Sequence, residues 1–350
     1  MAKKRKKVFI TGGSGFLGIN LIRFLYKRGY DIKVIDIAPF DYPDMKDKIE
    51  FVQGDIRNSI LLEKEMKGCD FVVHTAAALP LYTKNEIFST EVRGTRNVME
   101  AARWLKIDRV VHISSTAVYG VPDHHPLYET DKRYGVGPYG EAKVMAEKVC
   151  EEYRKKGVCI SIIRPKSFIG PERLGVFAIY YDWIKRGKSI PIIGNGKNRY
   201  QLMDVDDLNE AIRLCLANPK NKVNDTFNTG AKEFTTVRKE MDAVLRYAGV
   251  KKRSVPLATW LVIPVLKIVE ALGISPLYKW VYETAGHDSF VSIEKAEKIL
   301  GWKPKYSNIE ALKRNYDWYI QNAHKYEGQS GVSHRVPWKQ GILKVASWFF

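Results

Sequence analysis

The sequence has little cysteine, and what it has is scattered. Cys69, Cys150, Cys159 and Cys215 are the four in 350 residues, and no two stand at metal-ligand spacing. That argues against a disulfide scaffold and a cysteine-held metal, so no metal is expected; the pattern fits reduced, buried thiols in a cytoplasmic protein. No apolar run reaches the ~18 residues that a membrane-spanning helix needs. The longest, from Val255 to Leu266, is followed by Lys267 and Glu270. The start shows no secretory leader. It carries Lys3-Lys4-Arg5-Lys6-Lys7 instead, and residues 1–7 read as a solvated basic arm. Acid is also scarce: 39 Asp and Glu face 57 Lys and Arg, a net charge of +18. The basic excess is spread without a basic-aromatic module, so no nucleic-acid partner is expected. It can still attract an anionic substrate or an anionic membrane surface.

What is present is a globular composition, 45% hydrophobic and 27% charged, long enough for one large domain or two smaller ones. The most informative stretch begins at Val8. Val8-Phe9-Ile10 reads as a buried parallel strand. Thr11-Gly12-Gly13-Ser14-Gly15-Phe16-Leu17-Gly18 follows, and then Ile19, Leu21, Ile22 and Leu25 recur at helical spacing. Strand, glycine turn and helix together suit a diphosphate. The backbone bends sharply, comes close to the ligand, and presents free amides at the positive end of a helix dipole. Asp36, eighteen positions past Gly18, ends the next strand. A carboxylate there accepts from both hydroxyls of an adenosine ribose and repels a 2′-phosphate, so the cofactor reads as NAD rather than NADP.

Further strands are expected at residues 50–55, 70–74 and 109–113, with a long helix at 86–105. Asp55 reads either as an acceptor for the adenine amine or as a turn carboxylate. Small residues follow His74, where backbone can approach a cofactor; His74 itself reads as structural. The strand at 109–113 runs into Ser114-Ser115-Thr116, at the strand ends where open α/β sheets bind ligands. Tyr139 and Lys143 then fall at i and i+4 on one helix face. A free phenol, with a pKa near 10, is a poor base at neutral pH. An ammonium beside it, together with an oxidised nicotinamide, favours the phenolate. Ser115 supplies a hydrogen bond to the reacting oxygen.

These pieces resemble the extended short-chain dehydrogenases/reductases, in the NAD-dependent epimerase/dehydratase group. The resemblance is carried by the glycine turn, Gly54-Asp55-Ile56-Arg57, His74-Thr75-Ala76-Ala77, Ser114-Ser115 with Val118-Tyr119-Gly120, and Tyr139-x-x-x-Lys143. Arg164-Pro165, Gly170-Pro171, Asp204-Val205-Asp206-Asp207-Leu208 and Leu300-Gly301-Trp302-Lys303-Pro304 continue it. It implies a doubly wound, Rossmann-type parallel sheet with a smaller C-terminal substrate domain. It implies that Gly12, Gly15, Phe16, Leu17 and Gly18 hold the diphosphate, Asp36 the ribose, and Asp55 and Ile56 the adenine. Ala76 passes the diphosphate, and Pro165 and Ser167 lie by the nicotinamide. Tyr139 is the base, Lys143 holds the nicotinamide ribose and tunes Tyr139, and Ser115 with Thr116 meets the substrate.

Some residues depart from the family pattern. Glu91 stands where the family has Asn before Val-x-Gly-Thr. Ser167 stands where sugar-nucleotide epimerases have an Asn that touches the substrate diphosphate, and Arg164-Pro165 is more similar to the 3β-hydroxysteroid dehydrogenase branch. The apolar stretch at 255–284 leans the same way; Trp260, Leu261, Ile263, Leu266 and Val269 line a greasy entrance, lie on a bilayer, or pack as a core helix. Against that lean, residues 194–200 resemble the substrate loop of the epimerases, with Arg199, one position off its register, either a phosphate contact or a surface arginine on a glycine hairpin. The expected layout is an NAD-binding domain at 8–165, a mainly substrate-binding domain at 166–326 with segments returning to the first, and a tail at 327–350. The expected reaction is hydride transfer at a secondary alcohol or ketone, on a steroid- or lipid-like small molecule. A nucleotide-sugar 4-epimerase and a non-catalytic NAD-sensing protein are the alternatives. Peripheral membrane contact through 255–284 or the tail, and a homodimer built on helices 86–105 and 139–156, complete the expectations.

Overall fold

The computed structural model describes residues 5–271 and 286–326. Seven parallel strands form the central sheet: β1 (Lys7–Thr11), β2 (Asp31–Asp36), β3 (Glu50–Gln53), β4 (Phe71–His74), β5 (Arg109–Ile113), β6 (Ile160–Pro165) and, numbered by its later place in the chain, β10 (Thr226–Thr229). Their spatial order is β10-β6-β5-β4-β1-β2-β3. The chain runs outward from β1 through β2 to β3, then returns to the other side of β1 at β4. The carboxyl ends of β1 and β4, where that reversal opens a crevice, are where a doubly wound sheet binds its ligand. Thr11 pairs there with His74 on one side and Ile35 on the other.

Burial on both faces explains the sequence of the inner strands. Val8, Phe9, Ile10, Val72, Val73, Val110 and Val111 all have zero exposure. Helices α1 (Phe16–Tyr26), α2 (Ser59–Met66), α4 (Thr95–Trp104) and α5 (Gly137–Lys155) cover the sheet, as does α7 (Val205–Ala217). Between α2 and α4 the expected helix at 86–105 is present but not uniform. A short α3 (Lys84–Phe88) passes through a π-helical turn, Ser89–Gly94, into α4. A period of 3.6 in the sequence does not reveal one widened turn.

A smaller body lies over the crevice. It contains β7 (Ser167–Ile169), α6 (Val176–Lys185), β8 (Pro191–Ile193), β9 (Leu202–Asp204), α9 (Val237–Tyr247), β11 (Val255–Leu257) and α10 (Thr259–Ala271). The short α8 (Lys220–Val223) leads instead into β10 of the large sheet. Two later helices follow, α11 (Glu294–Leu300) and α12 (Asn308–Asn322). Ile169, Leu174, Tyr181, Val244, Leu312 and Tyr319 share one separate core there. Trp302, just past α11, has zero exposure and belongs to the core of the large sheet with Phe227 and Val205. Its indole nitrogen donates to the Asp207 carbonyl at 2.9 Å.

All four cysteines are buried and free. No helix among the described residues is long and apolar enough to cross a membrane. The stretch from Val255 divides into a three-residue strand and then α10. Leu266 is buried against Val176, Ile193, Val262 and Ile263, while Trp260 (78% exposed), Leu261, Val265 and Ile268 lie open. Residues 1–4, 272–285 and the tail from 327 lie outside the described residues, as do most of the basic arm and the second half of the 255–284 stretch.

Candidate active site

The glycine turn joins β1 to α1 directly over the crevice. Gly12 has φ +73°, and a Cβ on it would lie 2.7 Å from the Ala76 backbone. A Cβ on Gly18 would lie 2.3 Å from the Gly12 carbonyl oxygen. Glycine is therefore required at both ends of the cradle by close approach of backbone to backbone. The Asp36 carboxylate faces the same turn. It accepts from the Ser14 amide and the Ala38 amide, each at 2.9 Å, so its position is fixed relative to the glycines. Phe16 stacks on Phe168 at 5.6 Å, tying the turn to β7.

Asp55 sits past β3 and grips Arg57, whose Nε lies 2.8 Å and Nη2 2.5 Å from one carboxylate oxygen. Burial works to raise its carboxyl, but the Arg57 bonds outweigh burial and hold it below the usual range. Ile56 is buried beside it. His74 is also structural: Thr11 and Thr95 bond its two ring nitrogens at 2.7 and 3.0 Å. Burial pulls its pKa down to about 3, so the ring is neutral.

Across the crevice, β5 delivers Ser114 and Ser115, and the structure separates their roles. Ser114 is buried and donates to Glu147 at 2.6 Å. Ser115 begins the turn Thr116–Tyr119 and accepts from the Ala117 amide at 3.1 Å, and its hydroxyl favours the Tyr139 phenolate. Pro138 at the start of α5 presets the helical φ, and Tyr139 sits in its first turn. The Lys143 ammonium lies 5.7 Å from the Tyr139 ring centre. It donates to the Ile113 carbonyl at 3.1 Å and forms a buried ion pair with Glu91 at 2.9 Å. Burial raises the Tyr139 phenol above its usual value; Lys143 and Ser115 pull against that, and Glu91 adds to it. Among the protein's own groups, burial therefore outweighs the pull of Lys143.

At the end of β6, Pro165 is buried in strand pairing with Thr229. Ser167 shares a hydrogen bond of 2.9 Å with the Tyr200 hydroxyl. Lys166 between them is buried and donates to Ser289 at 2.7 Å. Burial alone pulls its pKa down to about 7. Arg199 turns to Asp288, with nitrogen–oxygen distances of 3.0 and 3.2 Å, and stacks over Phe290. Tyr200, not Arg199, is the side chain that reaches Ser167. Arg173, which packs over Phe16 and Phe177 and acts electrostatically on Tyr139, was not singled out from the sequence. No local motif marks it, since only the fold brings residue 173 to the turn. Lys166 was also missed as a site residue, although a lone lysine at a strand end was a signal.

A doubly wound parallel sheet with a glycine turn at its reversal, and with Ser115 after β5 and Tyr139 and Lys143 on α5, defines an extended short-chain dehydrogenase/reductase. The chain belongs to the NAD-dependent epimerase/dehydratase family, whose model matches residues 8–230. It is 28% identical over 328 residues to a putative UDP-glucose 4-epimerase of Methanocaldococcus jannaschii, covering 90% of this chain and 99% of that one. It is 28% identical over 331 residues to a decarboxylating sterol-4-alpha-carboxylate 3-dehydrogenase of Mus musculus, covering 89% and 90%. The fold matches a UDP-glucose 4-epimerase of Thermotoga maritima solved with UDP-glucose, with a TM-score of 0.76, 23% identity and coverage of 91% and 99%. The family's cofactor is NAD, and the cradle that a Cβ would fill at Gly12 and Gly18, with Asp36 fixed beside it, fits that group.

Proposed function

We propose that this chain is an NAD-dependent oxidoreductase acting on a secondary alcohol or ketone of an apolar, steroid- or lipid-like substrate. The observation that carries the reaction is the grouping of Tyr139 with Lys143, 5.7 Å from its ring centre, and with Ser115, which acts on its phenol. Gly12, Gly15, Phe16, Leu17 and Gly18 cradle the diphosphate, with Ala76 alongside. Asp36 binds the adenosine ribose, Asp55 and Ile56 border the adenine, and Pro165 and Ser167 border the nicotinamide. NAD, when bound, accepts or returns a hydride at its nicotinamide ring. Tyr139 takes the alcohol proton or gives it back, and Ser115 with Thr116 orients the substrate oxygen. Lys143 steadies the phenolate and directs its remaining N–H toward a ribose hydroxyl.

The apolar substrate is supported by the open face of α10 with Trp260, Leu261, Val265 and Ile268, and by Arg199 being held by Asp288. That face also supports peripheral contact with a membrane surface. The second reading is a nucleotide-sugar 4-epimerase. It is favoured by Arg173, whose charge is felt at Tyr139, and by the relatives named for that activity. There Arg199 would leave Asp288 for a substrate phosphate. The exposed Trp104 of α4 and Met145 of α5 support pairing of two copies along those helices.

Turnover separates the readings. Net NADH formation on sterols or other apolar alcohols supports the first, and interconversion of UDP-glucose and UDP-galactose without net NADH supports the second. Absence of dinucleotide binding would overturn both.

A further inference from the structure

The Glu91 side chain is the feature that the reaction above does not use. It sits in the π-helical turn between α3 and α4, is 1% exposed, and touches the site through one residue. One carboxylate oxygen accepts from the Ala78 amide at 3.1 Å, and the other meets the Lys143 ammonium at 2.9 Å. Lys143 is 2% exposed and also donates to the Ile113 carbonyl. Two of its three donors are thus committed among the described residues.

We propose that Glu91 is a positioning residue: it holds Lys143 in a charge-neutral buried pair and thereby offsets the pull of that ammonium on the Tyr139 hydroxyl. This rests on the reading of Tyr139 as the proton-exchanging group. Asn, the residue the family resemblance leads one to expect, is one methylene shorter and has a single acceptor oxygen. The carboxylate therefore adds a second acceptor and a negative charge. A buried ion pair is weak evidence for added stability, because desolvation offsets most of the attraction. Its electrostatic consequence is felt by the neighbouring phenol, which would otherwise have an uncompensated ammonium near it.

The other charged or titratable groups around the pair do not replace this one. His74 and His112, from β4 and β5, are both kept neutral by burial. Glu147, one turn on from Lys143 in α5, is taken by Arg164 and Arg133 at 2.7 and 2.8 Å. Arg173, from the loop before α6, favours the phenolate and opposes Glu91. Burial outweighs Lys143 at Glu91 and raises its carboxyl, whereas at Lys143 the attraction of Glu91 outweighs burial and keeps the ammonium charged; the ion-pair distance of 2.9 Å is that of a charged pair.

The test reads Tyr139 directly, without turnover. Protein labelled with 13C at the tyrosine ζ carbon is titrated by NMR, and Tyr139→Phe assigns the resonance. Glu91→Gln should move the Tyr139 midpoint down by about one pH unit or more, while Glu91→Asp, which keeps the charge, should stay near the parent. A folded Glu91→Gln protein with an unchanged or raised midpoint would overturn the proposal. A second measurement needs no substitution at 91: the 13C shift of the Glu91 side-chain carboxyl at pH 7 should be that of an ionised group. A neutral carboxyl would overturn the proposal as well. Turnover that survives Tyr139→Phe would instead overturn the reading of Tyr139, and the two failures are distinguishable because the titrations need no substrate.

Discussion

Asp36→Asn removes one charge and one of two acceptor oxygens at the end of β2 while leaving a side chain of nearly the same shape. In the parent, one oxygen accepts from the Ser14 amide and the other from the Ala38 amide, both at 2.9 Å. A carboxylate offers about four lone-pair sites, so accepting these amides is compatible with accepting from the ribose hydroxyls as well. Asn retains one such oxygen and turns an NH2 toward the partner of the other. The loss is thus one hydrogen bond to a charged acceptor, about 1.5–3 kcal/mol, or roughly 10- to 150-fold in NAD affinity. NADP affinity should move the other way, because the carboxylate no longer repels a 2′-phosphate. Isothermal titration calorimetry of both dinucleotides on parent and variant measures this. NAD affinity within about twofold of the parent, with preference for NAD over NADP unchanged, would refute the reasoning that Asp36 reads the ribose.

Three other outcomes follow from the same geometry. Gly18→Ala places a Cβ 2.3 Å from the Gly12 carbonyl oxygen, so it should cost about 1–3 kcal/mol of stability by overpacking and abolish NAD binding, read by thermal denaturation and calorimetry. Arg164→Met leaves Glu147, which has zero exposure, with Arg133 as its remaining ion-pair partner; it should cost about 3 kcal/mol in urea denaturation. Lys166 has its pKa lowered to about 7 by burial, against 10.5 when exposed. Between those values the unfolded chain holds more protons than the folded one, so this residue's contribution to stability rises with pH, by up to about 1.4 kcal/mol per unit. The stability gained by Lys166→Met should therefore be largest near pH 7 and shrink toward pH 10; a gain independent of pH would show that the ammonium is not desolvated.

The large sheet was legible because its signals are local. Apolar runs such as Val8-Phe9-Ile10 and Arg109 to Ile113 become buried strands, and the glycine turn carries its own spacing. Tyr139 and Lys143 were legible for the same reason, as one helix face written within five residues. What escaped depends on contacts between distant segments. Arg199 was left between a phosphate contact and a surface arginine, and its partner Asp288 comes from a separate stretch of chain that only the fold brings alongside. Glu91 was visible as a departure from the family pattern, while its pairing with Lys143 depends on a widened helical turn that leaves no period in the sequence. Asp55 was left open between adenine contact and turn carboxylate, and the structure gives it Arg57 as a firm partner. Trp260 and its neighbours were left between packing and exposure, and α10 does both, burying Leu266 on one side and presenting Trp260 on the other.

The most direct test of the account is transfer of hydride to NAD in parent and Tyr139→Phe protein, followed by absorbance at the wavelength of reduced nicotinamide, across a panel of sterols, isoprenoid alcohols and UDP-sugars. The account predicts NADH formation on an apolar secondary alcohol by the parent and a loss of at least about 100-fold in kcat for the variant, with NAD affinity little changed. Equal turnover by the two proteins would contradict the assignment of Tyr139 and, with it, the central claim.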